Sequence, residues 1–171
     1  MQHPSEVGHA KNTVRLLKLV MPQMKIYVGE AATDFIELQH YLVAQTKPIY
    51  VVYPNERSQT VAEAGASEAA IIILVDGTWR KAYRMLQLNP WLLNYPSLHL
   101  ECEDESQYVI RKAKRSDSLS TLEAAAYTLV ALNPAADIAP IFAVFNAMVQ
   151  HKLTAMPALV RERYNGDKLK G

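Results

Sequence analysis

Apolar and polar positions change period several times along the chain, and each change marks an element. In "AKNTVRLLKLVM" (10–21), Val14, Leu17 and Val20/Met21 recur at helical spacing, with Asn12 or Thr13 available as the cap. "KIYVGE" (25–30) reads as a short strand ending at Gly29, and "DFIELQHYLVAQ" (34–45) as a helix with Phe35, Leu38 and Leu42 on one face and Asp34 as cap. "PIYVVYP" (48–54) is a strand closed by Pro54; "SQTVAEAGA" (58–66) is a short helix at most. The unbroken apolar run of "EAAIIILVD" (68–76) predicts a strand covered on both faces, as in a parallel sheet. "TWRKAYRMLQL" (78–88) predicts a helix with Trp79, Tyr83 and Leu86 on one side and Arg80, Arg84 and Gln87 on another. Two prolines break "NPWLLNYP" (89–96). "SLHLEC" (97–102) and "QYVIRKA" (107–113) read as strands, and "STLEAAAYTLVAL" (120–132) as a helix stopped by Asn133-Pro134. "DIAPIFAVFNAMVQHKL" (137–153) closes the pattern as a helix striped by Ile141, Phe145 and Met148.

Strands alternating with helices predict an α/β fold, a mainly parallel sheet flanked by helices. The 171 residues suit a single domain over 1–171, with a frayed polar tail at 160–171. In such sheets ligands sit beyond the carboxyl ends of the strands. Asp76 lies at one such end and Tyr53-Pro54 at another.

Composition narrows the picture. Half the residues are apolar and a fifth charged, which fits a globular rather than a disordered chain. No apolar run reaches the ~18 residues that span a bilayer, and the polar residues after Met1 give no signal-peptide pattern. The lone Cys102 excludes an internal disulfide framework, so a reducing, cytoplasmic setting is expected. Net charge is +1, but its distribution is uneven: Arg111, Lys112, Lys114 and Arg115 form one basic cluster, Arg80, Lys81 and Arg84 another. A locally basic surface suits a polyanion.

Three segments carry candidate chemistry. Asp76-Gly77-Thr78-Trp79 reads as a tight strand-to-helix turn in which Asp76 or Thr78 caps the helix, or as a carboxylate and a ring at the mouth of a pocket. Ser120-x-x-Glu123 is a capping box, whose helix start also offers N–H groups and a positive dipole end to an anion. "VIRKAKRSD" is a solvated basic loop or a phosphate-contacting one. His3, Glu6 and His9 lack the company of a metal-ligand set, so no metal is expected. No glycine-rich phosphate loop and no G-x-S-x-G elbow is present.

"LVDGTWRKAYRML" resembles the signature of the DTW-domain family, whose Asp-x-Thr-Trp core is filled here by Asp76, Thr78 and Trp79. "QHPSEVGHAKNTVRLL" and "YVIRKAKRSDSLSTLEAAAYTL" resemble two further family segments, in the same order, and the likeness covers nearly the whole chain. The resemblance implies a SPOUT-related fold with a C-terminal trefoil knot, an exception to the rule of unthreaded chains. It implies an enzyme that passes the 3-amino-3-carboxypropyl group of S-adenosylmethionine to N3 of a uridine in tRNA. It also implies a cofactor pocket formed by Tyr53, Pro54, Val75, Asp76, Gly77, Leu119, Ser120, Thr121 and Glu123. Family members often carry a cysteine cluster ahead of the "QHP" segment; with Cys102 alone, that module is expected to be absent here.

That chemistry needs no metal, since the co-substrate brings its own leaving group. It needs alignment and the removal of the N3 proton, for which Asp76 is the candidate base, with Thr78 and Trp79 beside it. Arg80, Arg84, Arg111, Lys112, Lys114 and Arg115 are the candidates for tRNA phosphates, and His3, Glu6, Asn12 and Thr13 for a supporting rim. The uridine must be single-stranded or everted, because pairing hides N3. The same features leave room for an RNA methyltransferase using the same co-substrate, or for a non-catalytic RNA-binding module.

Overall fold

A computed structural model describes residues 1–9, 12–101 and 119–157. The predicted strand over 107–113, Cys102, the basic cluster Arg111, Lys112, Lys114 and Arg115, and the tail at 160–171 lie outside the described residues. β1 (Ile49–Val52), β2 (Ile71–Leu74) and β3 (Ser97–Leu98) form a parallel sheet in the order β2–β1–β3, with Ile49 opposite Ile71 and Val51 opposite both Ile73 and Ser97. Five α-helices accompany it among the described residues: α1 (Thr13–Val20), α2 (Ile36–Val43), α3 (Trp79–Leu88), α4 (Thr121–Leu132) and α5 (Ala139–Ala155). The predicted α/β class with a parallel sheet is therefore present, in a small sheet of short strands.

The period-2 side chains of β1 and β2 divide between two apolar layers. Val51 and Ile73, with Ile49 and Ile71 beside them, pack on Phe35, Leu38 and Leu42 from the α2 region and on Met85 of α3. On the other face Tyr50, Val52 and Ile72 meet Val61 and Leu98. Leu74 reaches a third cluster, where Leu17 of α1, Leu122 and Ala126 of α4, and Phe145 of α5 are all fully buried. Both faces of β2 are thus covered, although β2 is an outer strand of the three.

Several expectations are corrected. The strand predicted over 25–30 shrinks to one bridging residue. Gln2 makes parallel bridges to Val28 on one side and Asp76 on the other. Its N–H donates to the Tyr27 carbonyl at 2.8 Å, and its carbonyl accepts from Gly29 N–H at 3.0 Å. Among the described residues the ladder beside this segment is that single bridge. The 58–66 segment forms turns, not a helix. Thr60 and Glu63 exchange a reciprocal pair of bonds (Thr60 N–H to Glu63 Oε2 2.8 Å, Glu63 N–H to Thr60 Oγ1 3.2 Å), but Gly65 at φ 59° turns the chain out of helical geometry. In α3 the buried line runs Ala82–Met85 and on to Asn89, which leaves Tyr83 57% exposed. Small Ala82 and flexible Met85 fit the sheet where a tyrosine hydroxyl would need a partner. In α5 the fully buried stripe is Ile141, Phe145 and Val149, with Met148 half-buried beside it.

Candidate active site

The carboxyl ends of β1 and β2 open into a cavity of about 480 Å³. Five stretches of chain meet there. Val52, Tyr53 and Pro54 continue β1; Leu74 to Thr78 continue β2, followed by Trp79, Lys81 and Ala82 at the start of α3. Leu119, Ser120, Thr121 and Ala124 come from the α4 start, and Glu6, His9, Asn12 and Thr13 from the chain ahead of and into α1. His99 and Leu100, after β3, complete the wall.

Local rules build each part. Asn12 caps α1, its Oδ1 accepting from Val14 N–H at 2.9 Å and Arg15 N–H at 3.4 Å. Ser120 and Glu123 form the predicted capping box: Ser120 Oγ accepts from Glu123 N–H at 3.2 Å, and Glu123 Oε2 accepts from Ser120 N–H at 2.8 Å. At Gly77 an added Cβ would stand 3.2 Å from the Lys81 Cβ, so the turn into α3 lies tight against the helix's own first turn. Thr78 is the α3 N-cap by position and makes no side-chain cap bond.

The Asp76 carboxylate does not cap α3 either. Its Oδ2 accepts from Gln2 Nε2 at 2.9 Å and its Oδ1 from Thr121 Oγ1 at 2.5 Å. Its backbone is pinned as well, with Asp76 N–H donating to the Met1 carbonyl at 2.8 Å and His3 N–H donating to the Asp76 carbonyl at 3.0 Å. The group is thus held between the N-terminal segment and the α4 start, and it lines the cavity. Each oxygen keeps a second lone pair beyond the bond it accepts. The Met1 nitrogen nearby donates to the Leu74 carbonyl at 2.7 Å; desolvation lowers its amino group to about 6, against the opposing pull of Asp76.

Beside the carboxylate, Tyr53 and Trp79 meet edge-to-face with centroids 5.7 Å apart, giving the cavity an aromatic corner. At the rim Lys81 Nζ donates to Glu6 Oε1 at 2.8 Å and to Ser5 Oγ at 2.6 Å. His3 Nε2 and Arg84 Nε both lie against Glu30 Oε1, at 3.5 and 2.9 Å. Among the described residues, no group of three or more His, Cys, Asp or Glu is placed to hold a metal ion.

A second cavity of about 480 Å³ lies on the other side of Asp76. Its walls are mostly apolar, from α1, α2 and β2, and Gln2, Asp76 and Thr121 close one end. Asp76 and Thr121 line both cavities; Gln2 lines only the second.

The structure brings together Tyr53, Pro54, Val75, Asp76, Gly77, Thr78, Trp79, Leu119, Ser120 and Thr121, with Glu6, Asn12 and Thr13 of the rim. Glu123 stands behind the wall, fully buried, its carboxylate turned back on the Ser120 N–H. Arg80 and Arg84 are on the exposed side of α3, and His3 faces Glu30 rather than the cavity. Sequence reasoning missed Lys81, His9 and His99 as lining residues, and Gln2 as the partner of Asp76. Lys81 had a signal: it follows Thr78 by three residues, one turn along the same helix face. Gln2 opens the "QHP" segment of the family likeness, but nothing local names its partner, 74 residues away.

Comparison with known proteins decides the family. The DTW domain model matches residues 1–153. The chain belongs to the DTW-domain family. Its relatives include tRNA-uridine aminocarboxypropyltransferase 2 of Macaca fascicularis, 29% identical over 134 residues, covering 75% of this chain and 45% of that protein. The Mus musculus protein of the same name is 28% identical over 134 residues, with the same coverage, and the Drosophila melanogaster one 29% over 138 residues, 77% of this chain and 54% of that protein. The chain spans about half the length of the curated relatives it matches. No solved structure matches it significantly. In this DTW domain the Asp-x-Thr-Trp core is therefore the turn that carries β2 into α3 along the cavity wall.

Proposed function

We propose that this DTW domain transfers the 3-amino-3-carboxypropyl group of S-adenosylmethionine to N3 of a uridine in tRNA. One observation carries the reading: Asp76 is anchored through both oxygens to other segments yet borders a cavity of about 480 Å³. That volume lies within the range of small-molecule sites, ~300–1,000 Å³. The names of the relatives support the same reaction class.

The residues present fit the co-substrate. An apolar floor of Val52, Leu74 and Leu119, an aromatic corner and a few convergent polar groups suit a nucleoside joined to an amino acid. Tyr53, Pro54, Val75, Gly77, Leu119, Ser120 and Thr121 would hold it, and the α4 start offers its carboxylate the positive end of a helix. Glu123 acts behind them by fixing the Ser120 turn. When bound, S-adenosylmethionine supplies the electrophilic carbon and the sulfonium leaving group. Asp76 accepts the N3 proton of the uracil, a contribution of ~10²–10⁴-fold. Thr121 and Gln2 keep the carboxylate from swinging, while Trp79 and Tyr53 wall the ring and limit water. Thr78 starts the helix that carries Trp79.

Arg80, Arg84, Arg111, Lys112, Lys114 and Arg115 dock the tRNA phosphates. The same reading includes a cytoplasmic setting and a SPOUT-related fold with a C-terminal trefoil knot; the parallel sheet fits the α/β class of that fold. Among the described residues no helix is long and apolar enough to cross a membrane. By-product analysis tests the reaction. Incubation with tRNA and S-adenosylmethionine should release methylthioadenosine. S-adenosylhomocysteine in its place would mean methyl transfer, and neither product would mean a binding module.

A further inference from the structure

We propose that Gln2 is the positioning residue that aims the Asp76 carboxylate into the cavity. Gln2 is 4% exposed, and its side chain approaches Asp76 from the second cavity, the side away from Tyr53 and Trp79. It does not border the first cavity, so it acts through Asp76 and not on a ligand there.

The polarity of its amide follows from a chain of fixed groups. Asn12 Nδ2 donates to the carbonyls of Glu6 at 2.9 Å and Val7 at 3.2 Å. Its Oδ1 is therefore the atom that faces the α1 amides and Gln2. Gln2 Nε2 has two protons; one goes to Asn12 Oδ1 at 3.3 Å and the other to Asp76 Oδ2 at 2.9 Å. The cap of α1 thus dictates which end of the Gln2 amide Asp76 meets, and that end is a donor. The Gln2 backbone bridges both Val28 and Asp76, so the side chain starts from a pinned Cα. With Thr121 Oγ1 on the other oxygen, the carboxylate is gripped at both ends, and the plane in which its free lone pairs lie is set.

The inference rests on the transferase reading only for its catalytic readout. Gln2→Met keeps length and flexibility but removes the donor. It should lower kcat by about 10–100-fold, as expected for a reacting group released from alignment, while KM for the co-substrate moves less than about threefold. Gln2→Glu is isosteric and sets a second carboxylate against Asp76 Oδ2. That places an acceptor where a donor stood, and kcat should fall at least as far as in Gln2→Met. A residue that merely fills space would leave kcat in Gln2→Met unchanged, and that result overturns the proposal. A second measurement needs no activity. Urea-unfolding midpoints of Gln2→Met, Asp76→Ala and the double variant should be non-additive, the double losing less than the two singles summed. Additive midpoints overturn the proposal as well. If the natural chain gives no transfer, the transferase reading falls, and the unfolding cycle still decides whether Gln2 holds Asp76.

Discussion

Replacing Asp76 with asparagine separates its two roles, because the structure shows how the new amide would be seated. Gln2 presents a donor to Oδ2, so the Asn oxygen must turn toward Gln2 and its NH₂ toward Thr121. The Thr121 hydroxyl can accept as well as donate, so both contacts survive with one rotor reversed. What is lost is the charge. A hydrogen bond to an ionised group contributes ~1.5–3 kcal/mol and a neutral one ~0.5–1.5. Two weakened bonds therefore cost the fold about 1–3 kcal/mol, which leaves it intact. The reaction loses its proton acceptor outright, ~10²–10⁴-fold in rate, or about 3–5 kcal/mol of barrier. Asp76→Asn should keep S-adenosylmethionine affinity within several-fold by calorimetry, unfold at a modestly lower urea concentration, and lose most single-turnover transfer. Unimpaired turnover would refute the reasoning. So would a collapse of cofactor affinity with the fold preserved, which would make Asp76 a binding group.

Gly29→Ala should destabilise the chain by about 1–3 kcal/mol, the usual cost of overpacking. The added Cβ would stand 2.4 Å from Asp34 Cβ and 3.1 Å from Phe35 Cζ, whereas at Gly8 nothing lies within 4 Å, so Gly8→Ala serves as the neutral control in the same urea titration. Asp34 accepts from the N–H groups of Glu30 and Ala31, which hold its carboxyl below its ordinary 3.8 against a weaker upward push from burial. A depressed carboxyl contributes stability above its unfolded pKa and loses it as pH falls through the folded value. Unfolding midpoints followed down from neutrality should therefore fall less steeply below about pH 4 in Asp34→Asn than in the natural chain. Lys112→Ala combined with Arg115→Ala should weaken tRNA binding and flatten its salt dependence, by a slope of about 0.7–0.9 for each phosphate no longer neutralised; an unchanged slope would mean that the pair touches no phosphate.

What could be read from the sequence was whatever depends on near neighbours. The capping box Ser120–Glu123 and the Asn12 cap appear as expected, since each needs only three residues of spacing and a helix to follow. The parallel arrangement of β1 and β2 follows from their apolar runs and from the chain between them. Features set by remote partners were illegible. The 25–30 strand has the right residues, yet it pairs only through Val28 with Gln2, a partner remote in sequence. Tyr83 matched a helical stripe by spacing, but the packing of Ala82 and Met85 rotated it outward. The Asp-x-Thr-Trp turn suggested a cap or a pocket; only the folded chain shows that Asp76 leaves its own helix and bonds to Gln2 and Thr121. Those partners lie 74 and 45 residues away, beyond any local pattern.

The most direct measurement is mass spectrometry of tRNA nucleosides after incubation with S-adenosylmethionine labelled in its aminocarboxypropyl carbons, run in parallel on the natural chain and Asp76→Asn. Labelled, N3-substituted uridine should form with the natural chain, and little or none with the variant. Label absent from the natural sample, or equal in both, would contradict the proposed reaction.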